Sequence, residues 1–334
     1  MSSPVVADVG AKCNVVQAIN LAIADAMDAD PEVIVLGEDV ADGEMGGICG
    51  VTKGLSTRFG TTRVRSTPIS EQAIIGAAIG AAIVGMKPIA EIMLMNFAAV
   101  AMDMIVNHAA KLRFMSGGQT HVPIVIRTMT GAGMGSGGQH SDFLENWFAH
   151  VAGIKVVTPS CPADAYGLML SCIDDPDPCL FIEHLGGYWT PGPAPIRFER
   201  IPLGKARVVR EGADVTAITY SSMVGPCVEA ATTLASQGVD VEVLDLRTVS
   251  PWDVDAVLQS VTKTRRAVIV HEAVRSFGAG GEIASTIHER LFGHLKAPVR
   301  RVGASYCPVP FSKPLESAFM PNAQRIVEAI QSIL

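Results

Sequence analysis

Apolar residues recur at helical spacing from Val15 to Ala29, and the run Val33-Ile34-Val35-Leu36 then gives way to the polar Gly37-Glu38-Asp39-Val40. The spacing predicts a helix, a buried strand and a loop at the strand's C-terminal end. The same alternation continues along the chain. Arg63 to Ile69, Pro88 to Met93, Val122 to Arg127, Gly153 to Val157 and Cys179 to Ile182 read as strands, with helices over Gln72 to Gly85, Phe97 to Phe114 and Pro162 to Ile173. From Gly131 to His140 the chain is too rich in glycine for a regular element. The stretch from Gly186 to Pro195 holds three glycines of its own and three prolines, and suits neither a helix nor a central strand. A second series starts near Gly204, with strands at Val215 to Thr219, Val239 to Leu244, Ala267 to Val270 and Val299 to Val302, and helices opening near Val224, Pro251 and Gly280. This order predicts an α/β fold of two open, mostly parallel-sheet domains: residues 1–187, a Pro/Gly-rich linker 188–203, and residues 204–334. Ligands in such sheets gather at the C-terminal ends of the strands, where Glu38, Glu71, Phe97 and His140 all fall.

One helix breaks the amphipathic rule. Gln72 to Gly85 has almost no polar face, so it is expected to be buried on every side, yet Glu71 opens it. A carboxylate placed there wants a partner, from across the fold, from another chain, or from a bound cofactor with a protonatable ring nitrogen. Alone, such a residue is more often a helix cap or interface carboxylate than a catalyst. His140 alone reads equally as a solvated loop histidine, and Phe97 as core. The Gly131-Ala132-Gly133-Met134-Gly135 run is a weak dinucleotide signal, because no helix clearly begins there and no acidic strand-end residue follows at the required distance.

The 334 residues exceed the roughly 250–300 at which a single core stops growing, in keeping with two domains. A net charge of −7 without a Lys/Arg block leaves no electrostatic footprint for nucleic acid. The seven cysteines are scattered and never form a C-x-x-C pair, which predicts small core residues in a reducing compartment rather than a zinc site. Met1 to Pro4 lacks the start of a secretory signal, and the uncharged run Ala73 to Met86 is shorter than the ~18 residues of a membrane span. A soluble, cytoplasmic protein is expected. Aromatics make up only 5% against a hydrophobic fraction of 49%, a balance suited to helix-covered parallel sheets and to an oligomer that hides the surplus.

Gly37-Glu38-Asp39-Val40, Thr67-Pro68-Ile69-Ser70-Glu71, Asn96-Phe97, Ser116-Gly117-Gly118, Gln139-His140-Ser141 and Leu246-Arg247-Thr248-Val249-Ser250-Pro251 occur in that order. From about Asn14 onward the chain resembles the beta subunit of the thiamine-diphosphate-dependent first component of 2-oxo-acid and acetoin dehydrogenase complexes. Gly46 to Leu55 and Ile126 to Gly133 are similar to the acetoin-cleaving branch. Cys172-Ile173-Asp174-Asp175 and Pro251 to Asp255 are similar to branched-chain members, so pyruvate and branched-chain 2-oxo acids stay open as substrates.

The resemblance implies a transketolase-like pyrimidine-binding domain followed by a transketolase C-terminal-like domain for assembly and acyltransferase docking. It implies thiamine diphosphate shared with an alpha subunit, which holds the diphosphate through magnesium; no such diphosphate motif occurs in this sequence. Two alpha and two beta chains would form the active assembly. Glu71 matches the residue facing the cofactor ring nitrogen, Phe97, Ile69 and Met93 match its apolar neighbours, and Glu38 matches a carboxylate of a proton relay. His140 matches the histidine facing the substrate and the lipoyl group. Acetoin would be cleaved to acetaldehyde and a two-carbon fragment passed oxidatively to a lipoyl-bearing dihydrolipoamide acyltransferase. Weaker carry-overs are a structural potassium ion at Ile124, Cys172, Ile173, Asp175 and Asp177, and docking through the final carboxylate on Leu334, with the acidic balance suited to a basic partner. From other classes, a non-catalytic assembly platform and a nicotinamide-binding oxidoreductase stay open.

Overall fold

The computed structural model describes residues 12–334. The Met1 to Pro4 stretch, read above as lacking a secretory signal, lies outside them. Val15–Ala29 forms the helix its spacing predicts. Asn14 caps it: its side chain accepts from the Gln17 N–H at 2.9 Å, and the Gln17 side chain accepts from the Asn14 N–H at 3.0 Å. Two donors that the first turn would leave open are thereby satisfied.

The first sheet has seven strands in the order Thr248–Ser250, Lys155–Val157, Cys179–His184, Val125–Thr130, Lys87–Leu94, Val33–Glu38 and Val64–Thr67. All are parallel except the first. Both faces are covered, which is why the strands read as continuous apolar runs. Val33, Val35, Ile89 and Phe181 pack against the helices Val15–Ala29 and Pro162–Asp174. Their neighbours Ile34, Leu36, Ala90 and Ile182 turn to the opposite face, under Glu71–Ile83.

The second sheet runs Arg300–Ala304, Ala267–Val274, Val215–Thr219, Val241–Asp245 and Arg207–Arg210, antiparallel only at the last pair. Val224–Ala235 and Ala323–Gln331 cover one face. The other face, under Val254–Thr264 and Gly280–Leu291, joins the core of the first sheet, so one apolar interior runs through both units. Among the described residues no helix is long and apolar enough to cross a membrane. All seven cysteines are free, with Cys172, Cys179 and Cys227 buried and Cys307 exposed.

Three expectations change. The segment Phe97 to Phe114 is not one helix: a 3-10 turn at Met95–Ala99 leads to a π-helical stretch Met104–Ala109 and a short α-helix Leu112–Met115. Helical apolar spacing does not distinguish these hydrogen-bond patterns. The fourth strand starts at Val125 rather than Val122, past Pro123, which has no N–H to give a ladder. The helix Glu71–Ile83 buries Ile74, Ile75, Ala78, Ile79 and Ala82, but Ala73, Ala77, Gly80 and Ile83 are exposed in the single chain. Its second apolar face therefore waits for a partner surface.

Candidate active site

Three adjacent parallel strands, Val33–Glu38, Lys87–Leu94 and Val125–Thr130, together with the edge strand Val64–Thr67, end on the same side of the first sheet. Glu38 closes one, and Glu71 opens the helix after the edge strand. Phe97 lies in the turn after Lys87–Leu94, and His140 in the loop after Val125–Thr130. The Phe97 and His140 rings meet edge to face, their centroids 5.6 Å apart. Partial burial, then the charges of Asp39 and Glu71, raise the Glu38 carboxyl above its ordinary value. Glu38 and Glu71 are thus electrostatic neighbours. No hydrogen bond among the described residues occupies the Glu71 carboxylate, and Ile69 is 75% exposed beside it. Met93 is half-buried and lines a small cavity with Gly47, Cys49 and Met129.

Beneath this rim lies a buried ionic network that the sequence reading missed. Arg127 is buried at 2% exposure, pairs with Glu91, and donates two hydrogen bonds to Glu183 at 2.6 and 2.7 Å. Tyr188 donates to the same Glu183. Burial opposes the Arg127 charge, but Glu183 and Glu91 outweigh it and raise its pKa. Glu91 still lies above its ordinary value, because desolvation outweighs the guanidinium. Glu91 and Arg127 are register partners on neighbouring strands. A charged residue inside each of the apolar runs Pro88 to Met93, Val125 to Thr130 and Cys179 to His184 was the signal that could have revealed them. The network also explains Gly37: a Cβ there would lie 2.8 Å from the Glu91 Cβ and 2.9 Å from its carbonyl oxygen.

Asp175 and Asp177 stand together, but their carboxylates already face fixed cations. Lys155 Nζ lies 2.7 Å from Asp175 Oδ1 and 3.5 Å from Asp177 Oδ2, and Arg113 Nη1 lies 2.7 Å from Asp177 Oδ2. As carboxylate ligands they do not fit potassium. Main-chain carbonyls are left for that role; those of Ile124 and Cys172 accept from Cys179 and Asp175 and each keep a second lone pair. At the chain's end, Arg266 donates to the main-chain oxygens of Ile333 and Leu334. Nearby, a groove of about 780 Å³ is lined by Arg275, Arg300, Arg301 and Arg325, so this part of the second domain is locally basic despite the net charge.

The pyrimidine binding domain of transketolase matches residues 11–188, and the transketolase C-terminal domain matches residues 204–326. A split-gene transketolase, described as an inactive beta4 tetramer, has the same fold, with a TM-score of 0.77, 21% identity, and 96% of this chain and 97% of that one covered. The acetoin:2,6-dichlorophenolindophenol oxidoreductase subunit beta of Cupriavidus necator is 46% identical, covering 97% of this chain and 98% of the relative. Its Bacillus subtilis counterpart is 42% identical, with 95% and 96% covered. A mitochondrial pyruvate dehydrogenase E1 component subunit beta-1 of Arabidopsis thaliana is also 42% identical, with 93% and 86% covered. The chain belongs to the transketolase-like beta subunits of thiamine-diphosphate-dependent dehydrogenases. It is one component of a multi-subunit oxidoreductase, and its family implies dependence on thiamine diphosphate and on an alpha partner.

The residues present fit the aminopyrimidine half of that cofactor. An uncommitted carboxylate at a helix N-terminus suits a ring nitrogen, and Phe97, Met93 and the exposed Ile69 would supply apolar cover.

Proposed function

We propose that this chain is the beta subunit of an acetoin dehydrogenase, acting with an alpha subunit in an assembly of two alpha and two beta chains. Acetoin is cleaved to acetaldehyde, and the remaining two-carbon unit is passed oxidatively to a lipoyl-bearing dihydrolipoamide acyltransferase, whose lipoyl disulfide takes up the two electrons as it opens to a thioester and a thiol. The observation carrying the reading is the uncommitted Glu71, set beside Glu38 in a chain whose acetoin-oxidising relatives match it along nearly their whole length. Magnesium is assigned to the alpha subunit, which would hold the diphosphate. A potassium ion would be held by main-chain carbonyls rather than by Asp175 and Asp177.

When bound, thiamine diphosphate supplies an acidic ring carbon that becomes a nucleophile toward the substrate carbonyl. Glu71 would hold or accept the proton at the ring nitrogen from its place at the start of its helix. Phe97, Ile69 and Met93 exclude water, so the shared proton stays in a medium where its hydrogen bond is strong. Glu38, whose proton affinity is raised by burial and by its acidic neighbours, can receive a proton and return it. His140, set edge-on against Phe97, orients the substrate oxygen and exchanges a proton with it.

The test is co-expression with the alpha subunit and dye reduction with acetoin, pyruvate and branched 2-oxo acids. Acetoin is expected to be preferred, and a preference for pyruvate moves the chain to the branch of its pyruvate dehydrogenase relatives. Glu71→Gln is expected to lower turnover by at least about 100-fold with the assembly intact. Unchanged turnover in that variant would leave only the role of an assembly platform.

A further inference from the structure

We infer that the second domain positions the loop carrying His140, and that Glu316 and Glu272 are the positioning residues. The inference rests on the reading of His140 as a group facing substrate. In the loop, Gly131, Gly133, Gly135 and Gly137 have φ values of +123°, +108°, +71° and +74°, a backbone that leaves N–H groups without a ladder partner. Two buried carboxylates from the second domain take those groups.

Glu316, on the helix Lys313–Phe319, accepts from the Gly133 N–H at 2.7 Å and from the Gly135 N–H at 3.1 and 3.2 Å. Glu272, on the strand Ala267–Val274, accepts from the Ala132 N–H at 2.8 Å. Glu272 is itself fixed by His184 at 2.7 Å and by the Ser222 hydroxyl at 2.6 Å. Burial alone would raise the Glu272 carboxyl, but His184, Ser222 and the Ala132 amide outweigh it and hold it below the usual carboxylate range. In both cases carboxylate oxygens accept directly from loop N–H groups, so the loop backbone is gripped at Ala132, Gly133 and Gly135 by the second domain's side chains.

Apolar contacts seat the same loop on the same domain. Ala132 packs with Ala304, Val309 and Phe319. A Cβ on Gly137 would lie 2.8 Å from the Phe311 ring, and one on Gly138 would lie 3.3 Å from Pro308. The first domain holds the far end of the loop: Asn96 donates to the Gly138 carbonyl at 3.0 Å and to Asp142 at 2.9 Å, and Thr130 donates to the Asp142 carbonyl at 2.7 Å. His140 thus sits on a strap tied at one end by each domain. Nothing places Glu316 or Glu272 against reacting atoms. Their influence passes through loop backbone.

The test uses the complete complex with its alpha subunit, as wild type, Glu316→Ala, Glu316→Gln and Glu272→Gln. Three quantities are read: amide hydrogen exchange of residues 131–142, affinity for thiamine diphosphate, and kcat with KM. Glu316→Ala is expected to speed loop exchange and lower kcat/KM by about tenfold or more, with cofactor affinity unchanged. Glu316→Gln keeps one acceptor oxygen and should fall between. Unchanged loop exchange in Glu316→Ala overturns the inference, as does faster exchange with kcat and KM both unaltered. Faster exchange in the helix Glu71–Ile83 as well would mark general unfolding, in which case Glu316→Gln and Glu272→Gln decide by the same criteria. If the wild-type complex turns over none of the three substrate classes, the functional reading fails. Loop exchange alone then decides whether the second domain grips the strap.

Discussion

Glu145 offers a quantitative test of how the two domains are joined. It opens the helix Glu145–Ala149 and is fully buried. Its Oε1 accepts from the Tyr220 hydroxyl of the second domain at 2.7 Å, while its Oε2 is buried without a partner. Desolvation is the main cause, against the help of Tyr220, that pushes its pKa up from 4.5 to about 7. Above pH 4.5 the unfolded chain gives up this proton, but the folded chain keeps it until about pH 7. The folded state therefore binds the extra proton in that window, and stability falls as the pH rises through it. A shift of 7 − 4.5, at about 1.4 kcal/mol per unit, amounts to about 3.5 kcal/mol, nearly all of it lost by pH 8. Glu145→Gln keeps an acceptor for Tyr220 and cannot ionise. It is expected to gain most of this at pH 8 and only about a quarter as much at pH 5, just above the ordinary carboxyl value of 4.5. With roughly 2 cal/mol/K of unfolding entropy per residue over 334 residues, the gain at the upper end corresponds to about 5 °C in melting temperature. Thermal melts of wild type and variant across pH 5 to 8 measure it. An equal gain at both ends, or none at pH 8, refutes the assignment of a proton to Glu145 in the folded protein.

Two further outcomes can be checked by denaturant titration. Arg127→Leu strands Glu91 and Glu183 as buried carboxylates, and a loss of about 3–5 kcal/mol in unfolding free energy is expected. Gly131→Ala forces a side chain into left-handed backbone at φ +123° and onto the His184 ring, so a loss of at least about 1–3 kcal/mol is expected; a neutral result would refute the close packing of His184 against that glycine.

Much of the architecture was legible because the strands are short apolar runs bounded by turn residues. Val33 to Leu36 and Ala267 to Val270 fall inside the observed Val33–Glu38 and Ala267–Val274, and Val15–Ala29 matches end to end. Glu38, Glu71, Phe97 and His140 each follow such a run, but that position alone left them as cap, core or loop residues, and their roles came from the resemblance to the family. What failed to show has a common cause, distance along the chain. Glu272 meets Ala132 across 140 residues, and Glu316 meets Gly133 across 183. No local periodicity encodes such a pairing. The break in Phe97 to Phe114 escaped for a different reason: α, 3-10 and π turns place apolar residues at overlapping intervals.

The short strand Thr248–Ser250 belongs by sequence to the second series, yet it lies along Lys155–Val157 in the first sheet. Without it, the outer rim of that sheet would present unpaired amide and carbonyl groups, the kind of surface on which chains aggregate. Cleaving the connector at 188–203 would thus fail to yield two self-sufficient halves. The N-terminal half would carry a sticky border, and its natural cover would have left with the other fragment. The molecule is two modules in outline but one in assembly.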